Sequence, residues 1–236
     1  MTLTAHLSPN GPPALTSRQV KEVDALAHER FGIPLDWLME AAGWQVARLC
    51  PTGTAVVCGV GNNAGDGLAA ARHLHRWGKL ARVCCIDLAR LQGAAAQELV
   101  ALRRLGVEVA GDLRLEGAEA VVDAIFGTGL SRRPEGTFAT WIEAINSSQK
   151  DVIAIDVPSG LDADTGVAYA PTVHAHTTVT LGLPKPGLLE GDGPRLAGEV
   201  WVADIGVPFE AYALLGLAVP SDLFASGDRI RLDSIR

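Results

Sequence analysis

The alternation of short apolar runs with segments of helical periodicity constrains the fold most strongly. The runs are rich in Val, Ile and Ala and occupy residues 55–58, 81–86, 107–109, 120–126, 152–157, 177–181 and 199–202. Helical patterns fall between several of them, at residues 67–77, 91–105 and 138–147. Continuous apolar runs indicate strands buried on both faces. Their alternation with helices therefore predicts a Rossmann-like three-layer α/β/α sandwich with a mostly parallel sheet.

The chain is expected to form one domain. Its 236 residues, 48% of them hydrophobic, are enough for one sizeable core. No Pro/Gly/Ser-rich linker divides the sequence. Residues 1–14 contain three prolines and no periodicity, which predicts a flexible N-terminal arm. Residues 221–236 are polar and are expected to form a C-terminal tail, so the single domain is placed at 15–220.

Composition limits the partners. A formal net charge of −7 disfavours a nucleic-acid-binding surface. The first residues do not have the pattern of a secretory signal, and no apolar stretch reaches the roughly 18 residues that a membrane span needs. The four cysteines form no C-x-x-C pair. We expect a cytoplasmic protein that binds neither nucleic acid nor membranes.

A glycine-rich segment, C-G-V-G-N-N-A-G-D-G at residues 58–67, follows the first apolar run. Its glycines permit a tight turn, and Gly65 and Gly67 would let a ligand approach the backbone. A dinucleotide-binding fingerprint would carry an acidic residue about 20 positions further on, and none stands there. The polar side chains of the segment are Asn62, Asn63 and Asp66. They suit sugar hydroxyls or a cation better than bare phosphate, although an ordinary turn without a ligand explains them equally well.

Two later apolar runs contain or end in a carboxylate. Asp123 lies inside a run, where an unpaired carboxylate is costly, so it needs a hydrogen-bond partner, a cation or a functional role. Residues 127–133, G-T-G-L-S-R-R, offer a hydroxyl and two arginines that suit a phosphate. Asp156 ends the next run, and a stiff P-S-G turn presents it together with Ser159. For Asp123, a buried carboxylate that caps a neighbouring loop is the alternative.

Lys185 stands between two prolines, so its backbone is stiff. In a partly dry crevice it would donate a proton or hold a phosphate, whereas a surface lysine is the alternative. All these motifs follow apolar runs. Because ligands bind beyond the carboxyl ends of parallel strands, we expect the motifs to converge on one crevice.

These segments, in this order, resemble the NAD(P)H-hydrate epimerase family, also called the YjeF N-terminal domain. The family shows N-N-G-G-D-G, D-A-x-F-G-T-G, D-[IV]-P-S-G-L-D and x-P-K-x-G. L-M-E-A-A-G at residues 38–43 and A-D-I-G-V-P at residues 203–208 also match, so the likeness covers roughly residues 15–210. Ala64 stands where the family has glycine. If that position required a positive φ, the change would cost about 1 kcal/mol.

The resemblance implies an isomerase of metabolite repair. Its substrates would be NADHX and NADPHX, the cofactors with water added to the reduced nicotinamide ring, and it would interconvert their R and S epimers. A separate NAD(P)HX dehydratase would then repair the S form. The resemblance also implies a homodimer and a potassium ion, which Asn63, Asp123 and Ser159 would hold.

The resemblance further implies the residues that line the substrate site. They are Asn62, Asn63, Ala64, Gly65, Asp66, Gly127, Thr128, Gly129, Leu130, Ser131, Arg132, Arg133 and Asp156. Epimerising the hydroxyl-bearing carbon requires an acid or base near the leaving oxygen. Asp156 and Lys185 are the candidates for catalysis.

Three alternatives to this function stay open from the sequence. A similar domain serves as a non-catalytic, dimeric, RNA-associated scaffold in decapping proteins, but the acidic balance disfavours RNA and the polar motifs favour an enzyme. An ordinary NAD(P)-dependent oxidoreductase is disfavoured by the missing ribose-binding acid. Relatives are also known as apolipoprotein-binding proteins, a role that the sequence neither supports nor excludes.

Overall fold

The computed structural model describes residues 12–232. The strands are β1 (Thr54–Cys58), β2 (Leu80–Cys85), β3 (Val109–Ala110), β4 (Ala120–Ala124), β5 (Asp151–Ile155), β6 (Thr177–Leu181), β7 (Glu199–Ala203) and β8 (Arg229–Arg231). The α-helices are α1 (Ser17–Phe31), α2 (Leu35–Ala47), α3 (Asn62–Arg76), α4 (Gly93–Arg104), α5 (Thr137–Ser147), α6 (Gly193–Leu196) and α7 (Phe209–Leu214). The strands form one sheet in the order β3-β2-β1-β4-β5-β6-β7-β8.

The sheet confirms the predicted fold class. Strands β1 to β7 pair in parallel, and only β8 runs antiparallel to its neighbour among the described strands. Alternate strand residues serve opposite faces, because Val56 and Cys58 pack in the same core as α3 and α4, whereas Val57 packs with α5. Helices therefore cover both faces, as in a three-layer sandwich.

The strand order reverses at β1, which lies between β2 and β4. The chain runs outward from β1 through β2 to β3, and the connection after β3 returns past β1 to β4. The carboxyl ends of β1, β2 and β4 lie side by side, since Cys58 is in register with both Cys85 and Ala124. The loops that follow β1, β4, β5 and β6 thus open at the same edge, where such sheets bind ligands.

Helix α3 begins at Asn62 rather than near residue 67, so N-N-A-G-D forms the first helical turns instead of a loop. Ala64 is helical, and Gln149 and Asp156 are the non-glycine residues with positive φ among those described. The cost considered for a positive φ at Ala64 therefore does not arise. Tertiary packing of α3 overrides the turn-forming preference of Asn, Gly and Asp.

The two later glycines of this segment serve packing rather than ligand approach, contrary to the sequence prediction. A Cβ on Gly65 would lie 2.4 Å from Met39 Cε of α2. A Cβ on Gly67 would lie 2.4 Å from Ala124 Cβ of β4. Glycine at these positions brings α3 close to α2 and to the sheet.

The two ends of the described chain are more ordered than the sequence predicts. Of the predicted arm, residues 1–11 lie outside the described residues, whereas residues 12–14 are buried. Leu15 N donates to Pro184 O at 2.8 Å. Within the predicted tail, β8 pairs with β7 and Leu232 is buried, while residues 233–236 lie outside the described residues. Between residues 12 and 232, no helix is both long and apolar enough to cross a membrane.

Candidate functional site

A cavity of about 330 Å³ opens at the carboxyl edge of the sheet. Residues of α1, α2, α3 and α7 line it together with the loops after β1, β4, β5, β6 and β7. Much of its wall is apolar. Its polar side chains are Lys21, Asp24, Asn62, Asn63, Asp66, Thr128, Asp156, Lys185 and Tyr212. The motifs at the ends of the strands therefore converge on one crevice, as the topology predicts.

Asp156 and Lys185 form a buried ion pair in this cavity. Lys185 is only 1% exposed, so the alternative of a surface lysine is wrong. Its Nζ contacts Asp156 Oδ1 and donates to Leu181 O at 2.7 Å. Asp156 has a φ of +70° just after β5, a conformation that turns the chain sharply. Leu181 N donates to the same Oδ1 at 3.3 Å, which fixes the carboxylate.

Asp66 of α3 adds a second carboxylate to the cavity. It is 8% exposed. Burial raises the pKa of Asp66 well above its usual value, and the charges of Asp156 and Asp24 raise it further, while Lys185 opposes them. Since a neutral carboxyl can donate a hydrogen bond, Asp66 is suited to a substrate hydroxyl or carbonyl.

Asp24 of α1 is a third carboxylate in the cavity, and the sequence analysis missed it. Burial raises the pKa of Asp24 to about 6, with Lys185 lowering it and Asp156 raising it. Asp24 lies on the same helical face as Val20, Val23 and Ala27, of which the last two are buried. An acid within the apolar stripe of a helix is the signal that sequence reasoning could have used.

Asn62 and Asn63 also line the cavity, whereas Ala64 and Gly65 are buried in α3 and do not. Asn63 Nδ2 is buried and has no hydrogen-bond partner among residues 12–232. A Cβ placed on Gly127 would lie 3.0 Å from Asn63 Oδ1 and 3.3 Å from Asp156 Oδ2. The absence of a side chain at residue 127 thus keeps a small space open between an amide and a carboxylate.

The segment at residues 127–133 contributes only its first part to the wall. Gly127, Thr128 and Gly129 line the cavity, but Leu130 and the three residues after it do not. Ser131, Arg132 and Arg133 are exposed. Their contact with the phosphates of a ligand stays a prediction.

Asp123 and Ser159 lie behind the cavity wall, both 0% exposed. Ser159 Oγ donates to Asp123 Oδ1 at 2.6 Å, and Ser159 N donates to Oδ2 at 2.8 Å. Ile125 N donates to Oδ1 at 3.2 Å, and Phe126 N donates to Ser159 Oγ at 2.8 Å. Burial nevertheless raises the pKa of Asp123 to about 6, opposed by these hydrogen bonds. The carboxylate joins the loops after β4 and β5.

Metals that prefer nitrogen or sulfur ligands have no obvious place in the described chain. Across residues 12–232, no three His, Cys, Asp or Glu side chains are grouped around a metal position. The oxygen atoms of Asn63, Asp123 and Ser159 suit a hard cation instead. Among residues 12–232, Asp123 forms no ion pair with a lysine or arginine, so this buried carboxylate has no cationic partner there.

Comparison with known proteins identifies relatives of the chain. Residues 35–187 match the family described as YjeF-related protein N-terminus. The chain is 37% identical to the NAD(P)H-hydrate epimerase of Rhodopirellula baltica over 84% of this chain and 86% of the relative. It is 35% identical to the NAD(P)H-hydrate epimerase of Dehalogenimonas lykanthroporepellens over 92% of each.

Other relatives are longer or known from their structures. The chain is 43% identical to the bifunctional NAD(P)H-hydrate repair enzyme Nnr of Thermofilum pendens over 80% of its own length, and spans 39% of that relative. The crystal structure of yeast ynu0, YNL200c, has a TM-score of 0.78 at 24% identity, covering 92% of this chain and 99% of the yeast chain. That likeness shows a shared fold. The extent of the family match and of the sequence identities confirms that the chain belongs to the YjeF-related N-terminal family.

Proposed function

We propose that the chain is an NAD(P)H-hydrate epimerase, an isomerase that interconverts the R and S epimers of hydrated NADH and NADPH. The observation that carries the proposal is the buried contact between Asp156 and Lys185 in a cavity at the switch point of the sheet. Two relatives named NAD(P)H-hydrate epimerase, which the chain covers over 86% and 92% of their length, support it.

The chemistry requires proton transfer at one ring carbon. That carbon bears the added hydroxyl and lies next to the ring nitrogen, so loss of water gives an iminium-like state. Addition of water to the other face then gives the other epimer. We propose that the Asp156–Lys185 pair gives a proton to the leaving oxygen, because the Lys185 ammonium is buried and donates to Leu181 O.

The size of the cavity limits which part of the substrate it encloses. Ligand pockets range from about 300 to 1,000 Å³, and this one has about 330 Å³. It suits the hydrated nicotinamide ring and its ribose rather than a whole dinucleotide. The pyrophosphate then follows residues 127–133 outwards, where the exposed Arg132 and Arg133 supply positive charge.

Potassium is the proposed cofactor. Asn63, Asp123 and Ser159 would hold it, because their oxygen atoms match a hard cation and the buried charge of Asp123 has no cationic partner among the described residues. The ion would supply a fixed positive charge behind the Gly127 loop. Asn63 also faces the cavity, so it would connect the ion to the substrate wall.

Partners are proposed on the same basis. A separate NAD(P)HX dehydratase would consume the S epimer, since relatives more than twice as long are named bifunctional NAD(P)H-hydrate repair enzymes. We also propose a homodimer and a cytoplasmic location.

A coupled assay tests the proposed function. Purified protein with potassium is added to mixed R and S hydrates in the presence of a dehydratase specific for the S form. We expect the R epimer to disappear much faster than it epimerises spontaneously. If the R epimer persists, the chain does not catalyse the epimerisation, and the alternative of a non-catalytic scaffold protein takes its place.

Variants connect the activity to the cavity. Lys185→Met is expected to lower turnover by at least about 100-fold, the usual contribution of a positioned acid or base. Lys150→Met is the matched control, because Lys150 also donates to a backbone carbonyl, Ala118 O at 2.6 Å, but precedes β5 at the opposite edge of the sheet. Equal activity of the two variants would contradict the role of Lys185.

A further inference from the structure

Epimerisation by loss and return of water requires proton handling on both faces of the ring. On one face the C–O bond breaks, the oxygen takes a proton and leaves as water, and the lone pair of the ring nitrogen forms a C=N bond. On the other face water adds, a C–O bond forms, and a base takes the proton. Atoms and electrons balance without a further reactant. Asp156 and Lys185 contact each other, so they act as one unit.

Asp24 is the candidate for proton transfer on the second face of the ring, because of where its carboxylate lies. It lines the same cavity as Asp156 and Lys185, but it comes from α1 rather than from the end of a strand. Among residues 12–232, no group donates a hydrogen bond to it and no ion pair holds it. Asp123, by contrast, accepts hydrogen bonds on both oxygens. The Asp24 carboxylate is therefore available to a molecule in the cavity.

Helix α1 holds this carboxylate in a fixed place. Thr16 and Gln19 form a capping box at its start. Asp164 Oδ1 accepts from Ser17 N at 2.6 Å and from Ser17 Oγ at 2.9 Å. Leu15 N donates to Pro184 O, next to Lys185, at 2.8 Å. The helix is thus tied to the loops that also carry Asp156 and Lys185.

The charges around Asp24 suit proton exchange near neutral pH. Asp156 and Lys185 face it from the loops after β5 and β6, Asp66 from α3 and Tyr212 from α7, and Lys21 of α1 lines the same cavity. Its pKa is raised to about 6, mainly by burial. Asp66 shares the site, but its pKa is raised so far that it is expected to keep its proton.

We propose that Asp24 is a second catalytic residue, which exchanges a proton with the oxygen on the ring face that the Asp156–Lys185 pair does not serve. In one direction of the reaction it takes the proton from the incoming water, and in the other it protonates the leaving hydroxyl. This inference rests on the proposed epimerase function.

The test compares Asp24→Asn with Glu22→Gln. The second variant removes a carboxylate from the same helix, but that carboxylate pairs with Arg18 on the exposed surface at 3.5 Å. Asp24→Asn is expected to lower kcat for the R epimer by about 100-fold or more with a KM change below about 3-fold. It should also remove the inflection near pH 6 from the profile of kcat/KM. Glu22→Gln should keep the rate and the inflection of the wild type.

Two further measurements complete the test. Acetate added to the buffer is expected to restore part of the activity of Asp24→Asn and to leave Glu22→Gln unchanged. If Asp24→Asn does not fold, the variant Asp24→Glu, which keeps the carboxylate, replaces it in the test. A lower rate with a shifted inflection in the pH profile of kcat/KM supports the proposal, and a wild-type pH profile overturns it. Full activity of folded Asp24→Asn also overturns it. Inactive wild-type protein would instead overturn the proposed function itself.

Discussion

Replacing Gly67 by alanine tests whether the position of α3 controls the site. The new Cβ would lie 2.4 Å from Ala124 Cβ and 3.2 Å from Cys58 Sγ. Carbon atoms pack at about 3.5–4.0 Å, so α3 must move away from the sheet by about 1 Å. Both neighbours belong to buried strands and have short side chains, so they cannot rotate out of the way.

The expected magnitude follows from two opposing effects. Overpacking of a dense core costs about 1–3 kcal/mol, and replacing glycine by alanine within a helix returns about 1 kcal/mol. Gly67→Ala should therefore lower the free energy of unfolding by up to about 2 kcal/mol. Gly65→Ala is the matched control in the same helix, because its Cβ meets mainly the flexible end of Met39, while Ala95 Cβ lies further away at 3.0 Å. It should change stability by less than about 1 kcal/mol.

The displacement of α3 in Gly67→Ala should also lower the enzymatic activity. Helix α3 carries Asn62, Asn63 and Asp66 into the cavity, and a misplacement of about 1 Å can reduce turnover by about 100-fold. Urea denaturation and the coupled epimerase assay measure the two effects. A Gly67→Ala protein that is as stable and as active as the wild type would refute the packing argument, as would a larger loss in Gly65→Ala.

Three further predictions follow from the buried charges. Lys185→Met should lower the free energy of unfolding by about 3–5 kcal/mol in urea titrations, because it leaves Asp156 buried without its cation. Adding Asp156→Asn should recover most of that loss. A double variant no more stable than Lys185→Met would contradict this. The pKa of Asp24 is raised from 3.8 to about 6, so the folded state binds its proton more tightly than the unfolded chain does, and this stabilisation is lost as the pH rises through 6. The unfolding free energy of Asp24→Asn relative to wild type should therefore increase between pH 4 and pH 7, and a constant difference would show that Asp24 titrates normally. Potassium chloride should raise the Tm of the wild type above its value in choline chloride, whereas Asp123→Asn should show no such rise.

The sequence predicts the sheet well because its strands are buried on both faces. Such strands must be continuously apolar, and β1, β2, β4, β5, β6 and β7 all coincide with predicted runs. Strand β8 was missed, since Arg229–Arg231 lies at the edge of the sheet, where polar residues are normal. Strands that are buried on both faces can thus be predicted from a single sequence, whereas polar edge strands cannot.

The site was predictable where a carboxylate interrupts an apolar pattern, as at Asp123 and Asp156. Local pattern was misleading at residues 62–66, which consist of turn-forming residue types and yet begin α3. Asp24 was missed because a single acid in an amphipathic helix normally faces water. Only the docking of α1 onto a distant loop places it in the cavity.

The hydrogen bonds that anchor α1 to later loops also determine when the wall of the cavity can be completed during synthesis. Ser17 and Asp164 are 147 positions apart, and the partner of Leu15 lies later still in the chain. The helix is therefore made before the strands, and both of its anchors are present only after β6 has been made. Contacts over such separations form slowly. A nascent or truncated chain that ends before residue 164 would contain the β1 to β5 segments but lack both residues that anchor α1 beside the cavity.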